Sequence, residues 1–433
     1  MFHSTLIFRL PGKLLLTLCA TILLLGSCSS DDDGTLADNS IQRTVLIYMA
    51  AQNSLGSQKF QVKDSTEIMK GKSYISSNNC LLYFIDDDKN PRIYRITSSS
   101  ASPILVKSWD QDENSTSPDF FREVLTWMKE NYEAKEYGLV LWSHGNGWLP
   151  ATNTDYTATA AQKKTSTISP ASFGIDDGED FGDDSGTEMD IDDMATAIAE
   201  SGIHPKYIFF DACLMQCLEV DYALKDVTDY IVASPISTSA AGANYTHQLQ
   251  SGFFEDAPSA IAEMYAADVS DRTQASDYSD WGIVISTVQT DKLQAVADAL
   301  ADALPYSSLI DKASPDMSGV TNYLAYASYF LYRPHFYDAA EALRKVIPTD
   351  YQTAVLEALD EAVVYKAATT RFWIGPGNWT FQNVNTNTYS GISMFIPQNI
   401  YTRNASLSYY GDHNESFKST SWYTAAGWAQ TGW

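Results

Sequence analysis

Apolar residues along this chain fall into short unbroken runs set between amphipathic stretches. Residues 44–50, 80–85, 137–142, 207–210 and 230–233 are continuous stretches of β-branched, aromatic and aliphatic side chains, each closed by polar or small residues. Such runs predict strands covered on both faces, because a strand with one wet face would alternate. Residues 56–70, 120–132 and 190–201 carry helical spacing instead, and Ser117-Pro118 gives the second of these an N-cap position followed by proline at the first helical position. Strand and helix alternate over residues 44–235, which predicts an α/β fold with a mostly parallel sheet and helices on both faces. Residues 92–97 and 104–109 read as a β-ribbon at the sheet edge. Further on, the pattern predicts helices over 257–270, 292–304, 324–346 and 351–367, and strands over 281–288, 371–374 and 392–397. A tail carrying Trp422, Trp428 and Trp433 is expected to pack back on the body, since tryptophans at that density would aggregate if exposed.

One stretch breaks the alternation. Residues 149–187 lack periodicity and are rich in Thr, Ala, Asp and Gly, so they read as one long loop, of a length that is uncommon in compact domains unless it is functional or disordered. Its first half holds the dibasic pair Lys163-Lys164, the kind of exposed site that proteases nick. Its second half, from Asp176 to Asp184, is acidic and reads as a solvated charge run without the spacing of a calcium-binding helix–loop–helix.

Two of the runs end on chemistry. The run at Tyr207–Phe210 stops at Asp211-Ala212-Cys213, and the run at 137–142 stops at Ser143-His144-Gly145-Asn146-Gly147-Trp148. The carboxyl ends of strands form the ligand crevice of open α/β sheets. If these two strands are parallel neighbours, Cys213 and His144 share one edge as a thiol nucleophile with an acid/base partner. Taken singly, a cysteine after an apolar run is a small hydrophobe and a lone histidine a satisfied loop residue. The glycines beside His144 and the carboxylate two positions before Cys213 are not required for packing, which favours the chemical reading.

Charge and cysteine usage narrow the class. The chain has 54 acidic against 28 basic residues, a formal charge of −26, so nucleic acid is excluded as a natural partner and a cationic substrate group is favoured. Arg9 and Lys13 precede an apolar stretch over 14–25 that is short for a membrane span, and Leu25-Gly26-Ser27-Cys28 ends it. This resembles the lipobox of a bacterial lipoprotein: residues 1–27 form a signal peptide, Cys28 takes the lipid, and 28–42 are a flexible acidic tether at the outer membrane or cell surface. An ordinary secretory signal is the alternative. Cys80, Cys213 and Cys217 then remain, which is no disulfide framework; Cys80 reads as core, and Cys213 with Cys217 lack further ligands for zinc.

Three motifs in order, Val45-Leu46-Ile47-Tyr48-Met49-Ala50-Ala51, Leu141-Trp142-Ser143-His144-Gly145-Asn146-Gly147-Trp148 and Asp211-Ala212-Cys213-Leu214-Met215, resemble the clostripain-like cysteine peptidases, with Gly391 to Pro397 similar to the family's late strand. The resemblance implies a caspase-like fold, cleavage after arginine or lysine, His144 and Cys213 as the catalytic pair, and backbone N–H groups of Gly145 and Cys213 as oxyanion donors. It implies Asp211 as the carboxylate at the base of the specificity pocket; its other reading is a cap for the next helix. It also implies self-cleavage in the long loop, for which Lys163 and Lys164 are candidates. No metal or cofactor is expected, although some members depend on calcium. Gln52-Asn53-Ser54 departs from the family's usual acidic residue followed by asparagines, in a loop near the cleft. The expected organisation is a peptidase core over 43–290 and a C-terminal α/β extension over 291–433. The competing expectation is a catalytically silent lipoprotein that binds peptides or glycans on surface aromatics, which the 26 tyrosines and 10 tryptophans would supply.

Overall fold

The strand Arg43–Ala50 (β1) lies near the middle of a nine-stranded sheet and is buried along its whole length. The structure, a computed structural model, describes residues 41–149, 172–178, 182, 184–272, 281–328, 331–374, 381–402 and 412–433. The other strands in chain order are Asn79–Asp86 (β2), Arg92–Ile96 (β3), Ile104–Ser108 (β4), Glu136–Trp142 (β5), Gly145–Gly147 (β6), Ser172–Asp176 (β7), Thr187–Asp190 (β8), Pro205–Asp211 (β9), Tyr230–Ala233 (β10), Val284–Gln289 (β11), Asn322–Ser328 (β12), Leu331–Asp338 (β13), Val363–Ala368 (β14), Arg371–Trp373 (β15), Phe381–Asn383 (β16) and Ser393–Met394 (β17). The main sheet runs β14-β11-β10-β9-β5-β1-β2-β3-β4. Its five central strands, β10, β9, β5, β1 and β2, are parallel. Antiparallel pairs flank them on both sides, so the sheet is mixed, with the predicted ribbon β3–β4 at one edge.

The unbroken apolar runs follow from burial on two sides. Along β1, Leu46, Tyr48 and Ala50 enter one core while Val45, Ile47 and Met49 enter the other. The first core takes Phe120, Phe121, Val124, Leu125 and Met128 from the helix Pro118–Asn131 and Met194 and Ile198 from the helix Ile191–Ser201, which Asp190 caps by accepting from the N–H groups of Asp192 and Asp193. The second core takes Ile68 from the helix Phe60–Gly71, Tyr245 and Leu249 from Tyr245–Ser251, and Ile261 and Tyr265 from Ser259–Arg272.

The C-terminal third joins this body. The helix Leu293–Ala303 adds Val296 and Leu300 to the first core, β14 pairs with β11 as an edge strand of the sheet, and Trp422 and Trp428 are fully buried, with Trp433 at 6 % exposure. The tail therefore packs as its composition requires. Trp148 is fully buried as well, so much of the tryptophan count cited for a surface binding platform is spent on the core.

Three elements differ from the pattern reading. The stretch predicted as a helix over 324–346 is a hairpin, β12–β13, followed by a helix confined to Ala339–Val346. The run is dense in tyrosine and phenylalanine and contains Pro334, so strand-forming residues override an ambiguous apolar period. The helix expected to reach residue 367 stops at Ala362, where Val363-Val364-Tyr365 turn the chain into β14. The region expected to be one long loop over 149–187 contains β7, buried throughout, which pairs with β6 and β8 in a separate three-stranded sheet. At the start of its acidic half the side chains are buried rather than solvated: Asp176 accepts from the backbone N–H and hydroxyl of Ser115, and Asp177 is fully buried.

Candidate active site

The sheet topology brings the two chemical strand ends together. β5 and β9 are adjacent and parallel, with Trp142 opposite Asp211 in the register. Two residues beyond that pair stand His144 and Cys213, and both line one cleft of about 590 Å³ at the carboxyl edge of the sheet. Asp211, Trp142, Ser143, Gly145 and Gly242 line the same cleft.

Close backbone docking holds the two loops in place. A Cβ added to Gly145 would stand 2.6 Å from the carbonyl oxygen of Cys213 and 2.8 Å from Sδ of Met215. Gly147, at φ +58°, would place one 2.5 Å from the carbonyl oxygen of Leu214. The histidine loop therefore rests directly on the backbone around the cysteine, which no side chain at either position would permit. Leu214 itself adopts φ +66°, a costly conformation for leucine that is retained immediately after the thiol-bearing residue. The chain does not continue as a helix from Cys213 to Cys217: the next helix spans Leu218–Leu224, and Cys217 is buried, with a bridge to Ser393. The two cysteines thus do not share a helix face.

Cys213 is half-buried, and the backbone N–H of Thr238 donates to its Sγ at 3.3 Å. Burial pushes the thiol up from its ordinary pKa, the hydrogen bonds from Thr238 oppose that, and the Asp211 carboxylate adds to the rise. The net direction is upward, so these surroundings do not favour the thiolate. The imidazole of His144 is engaged elsewhere. Its Nε2 is 3.1 Å from Oγ of Ser54 and 3.4 Å from Oδ1 of Asp184. Burial acts to raise the Asp184 carboxyl, but the hydrogen bonds from His144 and Ser54 prevail and hold it down at about 2. Asp184 is delivered there by Asp177, whose Oδ2 accepts from the N–H groups of Gly182 and Asp184.

Asp211 is 6 % exposed and ends β9 beneath the cysteine. Its Oδ2 accepts from the N–H of Ala243 at 3.1 Å and from the hydroxyl of Tyr245 at 3.0 Å. It does not cap the following helix, whose N-cap residue is Cys217. Gly242, at φ +56°, lies against the carboxylate: a Cβ there would be 2.7 Å from Oδ2, so a side chain at this position would crowd Asp211 where it lines the cleft. Behind it Asp64 accepts from Trp142 Nε1 at 2.9 Å, and burial, then the charges of Asp211 and Glu67, push its carboxyl up to about 8. Asp64 consequently keeps its proton at neutral pH.

Lys163, Lys164 and Cys28 lie outside the described residues. Among the described residues no group of three or more His, Cys, Asp or Glu is arranged to hold a metal ion, and no helix is long and apolar enough to cross a membrane. Ser54 stands in the loop expected near the cleft, whereas nothing in the sequence reading singles out Asp184 or Thr238 as site residues. Thr238 was reachable by the same rule as Cys213, since it follows β10, the next parallel strand on this edge. Asp184 carried no local signal beyond its acidic neighbours.

The sequence model of the Clostripain family matches residues 47–433. Among solved structures, the chain is similar to a secreted C11 cysteine protease from Bacteroides thetaiotaomicron in complex with an irreversible peptide inhibitor, at 26 % identity and a TM-score of 0.71, covering 90 % of this chain and 99 % of that one. It shares its fold with an inactive zymogen C11 protease from Parabacteroides distasonis, at 24 % identity, a TM-score of 0.69, and 90 % and 99 % coverage. It shares it also with a second secreted C11 protease of Bacteroides thetaiotaomicron, at 20 % identity, a TM-score of 0.68, and 89 % and 99 % coverage. No curated protein matches the chain at a significant level.

Proposed function

Because the chain belongs to the clostripain family of cysteine peptidases with a caspase-like fold, we propose that it cleaves proteins after arginine or lysine through Cys213 and His144, at the cell surface. The observation that carries this reading is one cleft lined together by the imidazole of His144, the sulfhydryl of Cys213 and the carboxylate of Asp211, from the ends of β5 and β9. The side chain of the residue before the cut enters beside Gly242 and pairs its cation with Asp211. A site built to pair a buried charge rejects a neutral side chain by a large factor, because the partner is left without its counter-ion.

His144 turns from Ser54 and Asp184 to take the Cys213 proton, and the thiolate attacks the scissile carbonyl carbon. The backbone N–H groups of Gly145 and Cys213 receive the oxyanion; the tight docking of these two loops is what such a pair of donors needs. His144 then gives its proton to the departing amine as the C–N bond breaks and the thioester forms. A water, deprotonated by the same imidazole, hydrolyses the thioester and regenerates the thiol.

In this reading the engagement of His144 by Ser54 and Asp184 belongs to a resting enzyme. Activation follows self-cleavage at Lys163 or Lys164, upstream of the Asp177–Asp184 turn that holds the imidazole. Anchoring through a lipid on Cys28, with residues 28–42 as tether, belongs to the same reading, as does the division into a core over 43–290 and an extension over 291–433.

The test is hydrolysis of fluorogenic peptides ending in Arg or Lys, together with the intact mass of purified protein. Wild type is expected to hydrolyse them and to show a cut near residue 164, while Cys213→Ala does neither. A wild type inert before and after deliberate loop cleavage overturns the proposal.

A further inference from the structure

Beyond the basic-residue pocket, the cleft has a wall that the reaction does not use. Trp281 and Trp373 stack with ring centroids 4.3 Å apart and planes at 30°, both half-exposed, and both line the cleft that holds Cys213. The pair is built rather than incidental. The N–H of Trp373 donates to the carbonyl of Trp281 at 2.7 Å, and Gly282, at φ +71°, fits because a Cβ would stand 2.1 Å from the carbonyl oxygen of Arg371. Leu324 lines the same cleft.

The sheet order says which part of a substrate meets it. β11 is antiparallel to β10, so β11 begins at the edge where β10 ends, and β14, antiparallel to β11, ends at that edge too. Trp281 stands just before β11 and Trp373 shortly after β14. Along the edge the order is therefore His144, Cys213, Thr238, Trp281 and Trp373, following β5, β9, β10, β11 and β14. The histidine must lie on the side of the departing amine. The acyl portion of the substrate then extends the opposite way from Cys213, past residues 237–240 and onto the tryptophans.

We infer that Trp281 and Trp373 form a subsite for an apolar side chain upstream of the cleaved basic residue, making the enzyme selective for an aliphatic or aromatic residue within the two positions that precede it. Stacked indoles offer a large rigid face at low entropic cost, and covering it removes apolar surface from water. This inference rests on the proposed cleavage after Arg or Lys for its direction, and the test separates the two.

Two peptide series are compared, each with Lys before the cut and with Gly or with Leu and Phe at the two preceding positions, alongside a single-residue lysyl amide that cannot reach the wall. In wild type, kcat/KM is expected to favour the apolar peptides, and Trp373→Ala to lower it for them by roughly 10- to 100-fold with the single-residue amide changed less than about threefold. Trp373→Phe should recover most of the preference, and thermal melts confirm that both variants fold. The Kd of the same peptides for Cys213→Ala protein, read by calorimetry, provides an arm independent of turnover. Equal loss on all substrates, or no preference in either rate or Kd, overturns the subsite. Absence of turnover on every lysyl substrate, with an apolar preference still present in Kd, would instead refute the cleavage reading and leave the subsite standing.

Discussion

The carboxylate of Asp184 lies 3.4 Å from Nε2 of His144 and accepts the N–H of Ser54 at 2.8 Å, so the end of the acidic stretch closes on the proposed catalytic histidine. Asp184→Asn removes the charge and weakens that hold. Alkylation of Cys213 by iodoacetamide in uncut protein is expected to speed up by roughly three- to tenfold, about the value of one charge-assisted hydrogen bond between half-exposed groups. A slower reaction would mean that Asp184 orients the imidazole productively.

Asp211→Asn tests the specificity carboxylate. The expected outcome is a fall in kcat/KM of roughly 100-fold or more on Arg and Lys substrates, with little change on a neutral analogue such as citrulline. Gly242→Ala should produce a similar selective loss, since its Cβ would crowd Oδ2 at 2.7 Å and the residue sits at φ +56°. A uniform loss on charged and neutral substrates would assign Asp211 to folding rather than recognition.

The raised carboxyl of Asp64 ties stability to pH. Its folded value of about 8 lies above the ordinary 3.8, so the folded state binds the proton more tightly. The stabilisation is fully present below about 4 and is lost as pH rises toward about 8. Asp64→Asn keeps an acceptor for Trp142 and has no proton to lose. Urea melts should therefore show the variant gaining on wild type between pH 4 and 8, by about 3–5 kcal/mol at most. Parallel pH profiles for the two proteins would count against a buried neutral acid.

The tail is part of the core, and its removal should be felt throughout. Trp428 is fully buried and meets Phe417 edge-on at 5.2 Å. Trp428→Ala is expected to cost about 3–5 kcal/mol in chemical denaturation, the usual range for emptying a buried aromatic site. A cost below about 1 kcal/mol would mean that the tail is an appendage.

The raised Cys213 thiol predicts a reactivity that rises with pH. Burial and the Asp211 charge raise the Cys213 pKa, so alkylation of resting wild type should climb through pH 7–9 rather than reach a plateau near neutrality. An early plateau would indicate a thiolate–imidazolium pair already formed in the uncut protein.

Much of this site was legible before any coordinates. The runs ending at Trp142 and Asp211 announced strands, and their sequels carried a histidine between glycines and a cysteine beyond a carboxylate; these are local patterns, and local patterns survive in sequence. The hairpin Asn322–Ser328 with Leu331–Asp338 was misread because an apolar run of that length has no period that separates strand from helix. The burial of Asp176 and Asp177 was misread because charge alone does not reveal a partner: Ser115 is distant in sequence, and only pairing of Ser172–Asp176 with Gly145–Gly147 brings the acidic turn inside.

By itself the sequence determined the strand cores, the candidate thiol and imidazole at two strand ends, and the glycines where two loops touch, because each depends on the chemistry of residues next to one another in the chain. The tertiary structure decided what faces them. Ser54 and Asp184 on the histidine, Thr238 on the sulfur, Asp64 behind Asp211, and the stacked Trp281 and Trp373 come from separate strand ends, and which ends share an edge is set by strand order and register, which hydrogen bonds across the sheet fix and no local stretch encodes.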